Sequence, residues 1–213
     1  MSTTAFHRSP FIEWGVAAQP IPGQTVCGDL HLVKPFAYGA LVAVVDGLGH
    51  GDEAIAVARI AINVLAEQAD QSVITLVKRC HEALINSRGV VLTLASFNTL
   101  DATVSWLSVG NVTGLLLRAD TKAMPPCETA LLRGGVVGYQ LPPLRASVIA
   151  VAPDDLLILA TDGMRNSFNV GDLLGGTPQK IADRVMSRHF KGNDDGLVLA
   201  VRFLGTRSAY VVT

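Results

Sequence analysis

At 213 residues the chain is long enough to bury one full core, and nothing in it calls for a second domain, so residues 1–213 are read as one unit. Apolar residues make up 49% and charged residues only 16%, a balance that excludes intrinsic disorder. A formal charge of −1, with no basic run, leaves no electrostatic case for nucleic acid or an anionic membrane surface as partner.

The opening segment, MSTTAFHRSP, has neither a basic n-region nor an apolar h-region; residues 1–10 are read as an N-terminal tail and the cytoplasm is the expected location. Three strands are predicted next, Phe11–Gln19, Gln24–Val33 and Phe36–Val45, broken at Pro20–Gly23 and at Lys34-Pro35. The longest apolar run, Ala37 to Val45, is about half of what a bilayer requires and reads as a buried strand, so no membrane segment is expected.

After Asp46-Gly47-Leu48-Gly49-His50-Gly51 the apolar period becomes helical, with Ile55, Ala58, Ile62 and Leu65 on one face of a helix over Asp52–Ala69. A second helix is predicted from about Ser72 to Arg88, ended by Gly89. Residues 90–117 read as three antiparallel strands, with Gly110-Asn111 as a turn, and 118–146 as loop with one short strand near Ala130. Strands return at Ser147–Val151 and Leu156–Ala160, a helix at Pro178–Phe190 and a strand at Leu197–Phe203, leaving 204–213 as a terminal strand or tail. Strands, then helices, then strands again predict an α+β fold in which helices cover the outer faces of antiparallel sheets.

Four acids share one setting. Asp29, Asp46, Asp162 and Asp194 each sit at or beside the end of an apolar strand, next to glycine or a small turn. Strand ends converge, and carboxylates brought together repel one another unless a cation lies between them. Oxygen-only ligands favour magnesium, manganese or calcium over zinc, and a pair of such ions can activate a water for attack on phosphorus. Taken singly, each Asp-Gly is also an ordinary turn signal. Three widely spaced cysteines, Cys27, Cys80 and Cys127, fit reduced thiols rather than a disulfide framework or a zinc site.

In chain order, Gly28-Asp29, Val45-Asp46-Gly47-Leu48-Gly49-His50-Gly51, Arg133-Gly134-Gly135, Thr161-Asp162-Gly163 and Asp194-Asp195 resemble the metal-dependent protein phosphatases of type 2C. The DG-x-GHG form, Gly110-Asn111 and the glycines from Gly134 to Gly138 are similar to the bacterial sporulation and stress-response branch of that family, the likeness running over about residues 25–203. The resemblance implies a four-layer sandwich of two antiparallel β-sheets flanked by α-helices. It also implies two divalent ions, Mn²⁺ or Mg²⁺, with Asp46 bridging them, the Gly47 carbonyl on one, Asp162 and Asp194 completing that shell, and Asp29 at the second. The implied activity is hydrolysis of phosphoserine or phosphothreonine with the metal-bridging water as nucleophile, Asp46, Asp162 and Asp194 being catalytic. The implied partners are phosphorylated stressosome scaffold and sensor proteins, with a monomer as the expected state.

Two alternatives stay open: a phosphatase for an anti-sigma-factor antagonist, and a module of the same fold that binds phosphoproteins without cleaving them. The phosphate-holding arginine of eukaryotic relatives has no convincing counterpart before Asp29, Arg8 lying in the segment read as tail, and the family's Asp-Asp-x-Thr stands here as Asp194-Asp195-Gly196-Leu197, which leaves the role of Asp195 open. His50 reads as a proton donor or as a residue that fixes its loop; His31, on the same strand face as Asp29, and Arg165, after the Thr161–Gly163 turn, are further candidate contacts. Cys127 and Arg133 have the Cys-x5-Arg spacing of thiolate phosphatases, but Glu128-Thr129-Ala130-Leu131-Leu132 between them lacks the glycine-rich phosphate cradle, and that chemistry is rejected.

Overall fold

The computed structural model of the chain describes residues 7–49, 51–165, 173 and 175–205. Two antiparallel sheets lie face to face, with two helices outside one and a third outside the other, as expected. The strands are β1 (His7–Arg8), β2 (Ile12–Gln19), β3 (Asp29–Phe36), β4 (Gly39–Gly47), β5 (Val90–Asn98), β6 (Thr103–Val109), β7 (Thr113–Leu117), β8 (Cys127–Thr129), β9 (Ser147–Ala150), β10 (Leu156–Ala160) and β11 (Gly196–Phe203). The helices are α1 (Gly51–Glu67), α2 (Val73–Ala83) and α3 (Pro178–His189). One sheet has the order β1-β2-β11-β10-β7-β8, the other β3-β4-β5-β6-β9.

β4 shows why the layers form. Its apolar run is buried on both faces: Ala40, Val42 and Val44 meet Leu157, Leu159, Leu199 and Val201 of the facing sheet, while Leu41, Ala43 and Val45 meet Ala58, Ala61 and Leu65 of α1 and Leu76 of α2. A side-chain period of two thus divides one strand between two cores. On the other side, Ile181, Ala182 and Val185 of α3 close over Ile158, Ala160, Val198 and Ala200. Gly15 lets α3 settle on β2, since a Cβ there would fall 2.2 Å from the Gln179 backbone. Ser72 and Thr177 cap α2 and α3 by accepting from the Thr75 and Lys180 amides, and Pro178 occupies the first turn of α3.

Several boundaries differ from expectation. β3 starts at Asp29 instead of Gln24 and runs through Lys34-Pro35; β3 is an edge strand, where a proline without an N–H costs no ladder bond. Only Ala37 and Tyr38 then separate the paired Phe36 and Gly39, a two-residue hairpin. α2 stops at Ala83, five residues short of Arg88: Leu84 N–H caps onto the Cys80 and His81 carbonyls and Asn86 turns left-handed, at φ 67°. The segment read as tail carries β1, with Arg8 in register with Glu13, and the Leu204 amide donates to the Phe11 carbonyl at 2.7 Å.

The register brings the acids to one end of the sandwich. Asp29 is paired with Asp46 and Gly47 with Val90; in the facing sheet Ala160 lies between Thr113 and Val198. Arg8 lies at the opposite end, because β2 pairs Ile12 with Phe203 and Gln19 with Gly196.

Candidate metal centre

Asp29 and Asp46 are direct cross-strand partners, so their side chains leave the same face of the sheet, the one turned towards the second sheet. Asp29 is 5% exposed. Thr161, whose hydroxyl oxygen accepts from the Leu197 amide at 2.9 Å, hydrogen-bonds the Asp29 carboxylate, yet Asp29 Oδ2 is buried without any partner. A buried carboxylate oxygen without a donor is costly, and a cation is the partner that fits it.

Asp46, Asp162 and Asp194 meet along a cleft of about 420 Å³ whose other walls include Leu48, Gly49, Gly110, Asn111, Gly134 and Gly135. Burial, Asp29, Asp162, Asp194 and Asp195 together push the Asp46 carboxyl up to about 8. Burial is also the largest cause raising Asp29 to about 7, with Asp195, Asp194 and Asp162 adding to it. Asp162 is raised by burial and by Asp194, an effect that Lys191 opposes. These shifts are the electrostatic signature of an anionic cluster awaiting a positive charge. Among the described residues no three His, Cys, Asp or Glu side chains close around one ion unaided. An all-carboxylate donor set is the chemistry that hard cations such as Mg²⁺ or Mn²⁺ take.

Close backbone approach explains the glycines. A Cβ on Gly47 would fall 2.1 Å from the Ala54 carbonyl oxygen in α1, and one on Gly163 would fall 1.8 Å from the Asp195 carbonyl oxygen. Neither glycine has positive φ, so each serves packing rather than a tight turn and seats its aspartate against a neighbouring element.

Asn111 Nδ2 donates to Asp162 Oδ2 at 2.7 Å and Lys191 Nζ donates to the Asp162 carbonyl oxygen at 2.6 Å. Asp195 turns inward: Oδ1 accepts from the Ile21 amide at 2.7 Å and Oδ2 from the Gly28 amide at 2.6 Å, tying the β2–β3 loop behind Asp29 to β11. In the sequence Asn111 carries no signal beyond the Gly-Asn turn, and nothing there separates the role of Asp195 from that of Asp194. Of the further candidates, His31 is paired with Val44 and shares the inter-sheet face with Asp29. Arg165 is exposed, its amide donating to the His189 carbonyl, and His50 lies outside the described residues. The rejected thiolate site fares no better: Cys127 is in β8, burial and Glu128 raise its thiol, and all three cysteines are free.

Residues 38–204 match the family described as Stage II sporulation protein E (SpoIIE). Phosphoserine phosphatase RsbX of Bacillus subtilis strain 168 is 30% identical over 94 residues, 44% of this chain and 47% of that protein, so the match spans about half the length of the curated relative. A structure described as "The bacterial stressosome: a modular system that has been adapted to control secondary messenger signaling" aligns at 26% identity and TM-score 0.83 over 90% of this chain and 99% of the other. RsbX in complex with magnesium aligns with the same TM-score at 20% identity, over 93% of this chain and 98% of the other. The catalytic domain of serine/threonine phosphatase PstP with two manganese ions aligns at 15% identity and TM-score 0.68, over 91% and 99%. The last two likenesses concern the fold. With more than three quarters of its length inside the family match, the chain belongs to the SpoIIE family and has the fold of a type 2C phosphatase domain.

Proposed function

We propose that the protein is a metal-dependent phosphoprotein phosphatase that hydrolyses phosphoserine or phosphothreonine on proteins of bacterial stress signalling. The observation that carries this reading is the orphaned, buried Oδ2 of Asp29 opposite an Asp46 whose carboxyl is pushed up to about 8, beside a cleft shared with Asp162 and Asp194. The RsbX relative and the stressosome structure support phosphorylated stressosome proteins as the substrate class.

Asp46, Asp162 and Asp194, with the Gly47 carbonyl, would hold one ion, and Asp46 with Asp29 a second. Such ions, Mg²⁺ or Mn²⁺, supply neutralisation of the phosphoryl oxygens and acidification of the attacking water. The chain's own contribution is position. Asn111 fixes one oxygen of Asp162 and leaves the other for the cleft, Lys191 anchors the backbone of the same residue, and Thr161 fixes one oxygen of Asp29. Sheet register holds Asp29 and Asp46 face to face as cross-strand partners. Arg8, the one arginine before Asp29, lies at the far end of the sheet and would not reach a phosphoryl group in the cleft.

Hydrolysis of an aryl phosphate, measured with and without Mn²⁺ for the wild type and for Asp46→Asn, tests the reading. The wild type is expected to require the ion and the variant to lose roughly 10²–10³-fold in kcat/KM. A protein that binds phosphopeptides tightly yet hydrolyses nothing would instead be a binding module.

A further inference from the structure

Beside the acidic cleft lies a smaller depression of about 180 Å³. Arg133 and Arg145 both line it, with Ser147 at its rim and Trp106 and Leu107 in its floor. Three arginines of the fold have carboxylate partners: Arg118 is held by Glu128 and Asp155, Arg202 by Glu13 and Arg88 by Glu53. Among the described residues neither Arg133 nor Arg145 has a carboxylate partner or any side-chain hydrogen bond. Two unpartnered arginines on one small depression make it positively charged, and a guanidinium fork is a donor suited to carboxylate or phosphoryl oxygens.

The depression is continuous with the cleft along two strands of chain. The end of β6 passes from Ser108 in the depression to Gly110 and Asn111 in the cleft, and the 131–135 segment passes from Leu131 and Arg133 to Gly134 and Gly135. The Gly110 amide donates to the Arg133 carbonyl at 2.8 Å, locking the two segments together. The depression thus lies within reach of residues that flank a phosphorylated side chain in the cleft.

We propose that Arg133 and Arg145 form a recognition subsite for an anionic side chain, carboxylate or phosphoryl, that the substrate carries close to the residue being dephosphorylated. This rests on the phosphatase reading above. The depression is too small for a folded partner but holds one such group, and the remainder of the contact is with the chain that bears it.

Three fluorescent phosphoserine peptides test the subsite: one flanked on both sides by glutamates, one by glutamines, and one with a second phosphoserine among glutamines. KM and kcat are read separately for the wild type, Arg145→Glu and Arg145→Gln, together with turnover of an aryl phosphate too small to reach the subsite. The wild type is expected to show a KM about 10-fold lower for the glutamate and doubly phosphorylated peptides than for the glutamine peptide. Arg145→Glu should erase that preference and Arg145→Gln reduce it, with kcat and aryl phosphate turnover unchanged, which also reports that the variants fold. A lower KM for the second phosphoserine than for glutamate identifies the phosphoryl as the preferred anion; the reverse identifies the carboxylate. Equal KM values for the charged and glutamine peptides in the wild type, or a preference that survives Arg145→Glu, would overturn the proposal. If the wild type fails to hydrolyse the aryl phosphate with Mn²⁺, the phosphatase reading falls, and anisotropy titration of the same peptides still decides the subsite.

Discussion

Two adjacent aspartates divide their work by which way the strand start points them. Asp194 lines the cleft, whereas Asp195, 5% exposed, spends both oxygens on the Ile21 and Gly28 amides. Removing the second carboxylate strands two partly or fully buried donors, a loss of about 2–4 kcal/mol. Asp195→Ala should therefore lower the melting temperature by roughly 5–15 °C in thermal denaturation, with residual activity tracking the folded fraction. Asp194→Ala should leave the melting temperature of the metal-free protein nearly unchanged while weakening Mn²⁺ binding, as calorimetric titration would show. The Asp-Asp pair was legible in the sequence, but its division was not: both residues precede Gly196 in an identical local pattern, and only the approach of the β2–β3 loop separates them.

Each metal-facing loop depends on a strand end meeting a second element at backbone distance. β4 meets α1 at Gly47 and Ala54, with no room for a methyl group. Gly47→Ala should push the start of α1 away from β4 and displace Asp46, with a destabilisation of about 1–3 kcal/mol, as expected for an overpacked core site. The accompanying fall in Mn²⁺ affinity is read by calorimetry. Element identities were readable because β4 is uninterruptedly apolar and α1 carries a helical period, signals that survive without tertiary context. The ends were less so. β3 tolerates Pro35 because it is an edge strand, and α2 ends at Ala83 because Asn86 turns left-handed; the one is a fact of sheet order and the other of local geometry that an ordinary helix-length pattern does not announce.

Across the molecule, the sandwich concentrates its carboxylates at one end and so makes stability depend on both pH and metal. In the unfolded chain Asp29 and Asp46 have the ordinary carboxyl value of about 4; in the fold, burial first and the neighbouring carboxylates second push them up to about 7 and about 8. Between those values the fold retains protons that the unfolded chain releases, so this contribution is whole below about pH 4 and is lost as pH rises through 7 and 8. The melting temperature of metal-free protein should fall by several degrees between pH 5 and pH 8, and saturating Mn²⁺ should abolish most of that fall. Asp46→Asn should flatten the metal-free profile and be the more stable protein at pH 8. The family resemblance was legible because its motifs are short contiguous strings. Convergence of those strings was not, since Asp29, Asp46, Asp162 and Asp194 come together only through the register of two sheets.

If these carboxylates bind catalytic ions, Mn²⁺-dependent release of phosphate from a phosphorylated stressosome protein will separate the wild type from Asp46→Asn. Turnover by the wild type that disappears on chelation and is reduced roughly 10²–10³-fold in the variant is the predicted result. An Asp46→Asn protein with wild-type Mn²⁺-dependent turnover would contradict it.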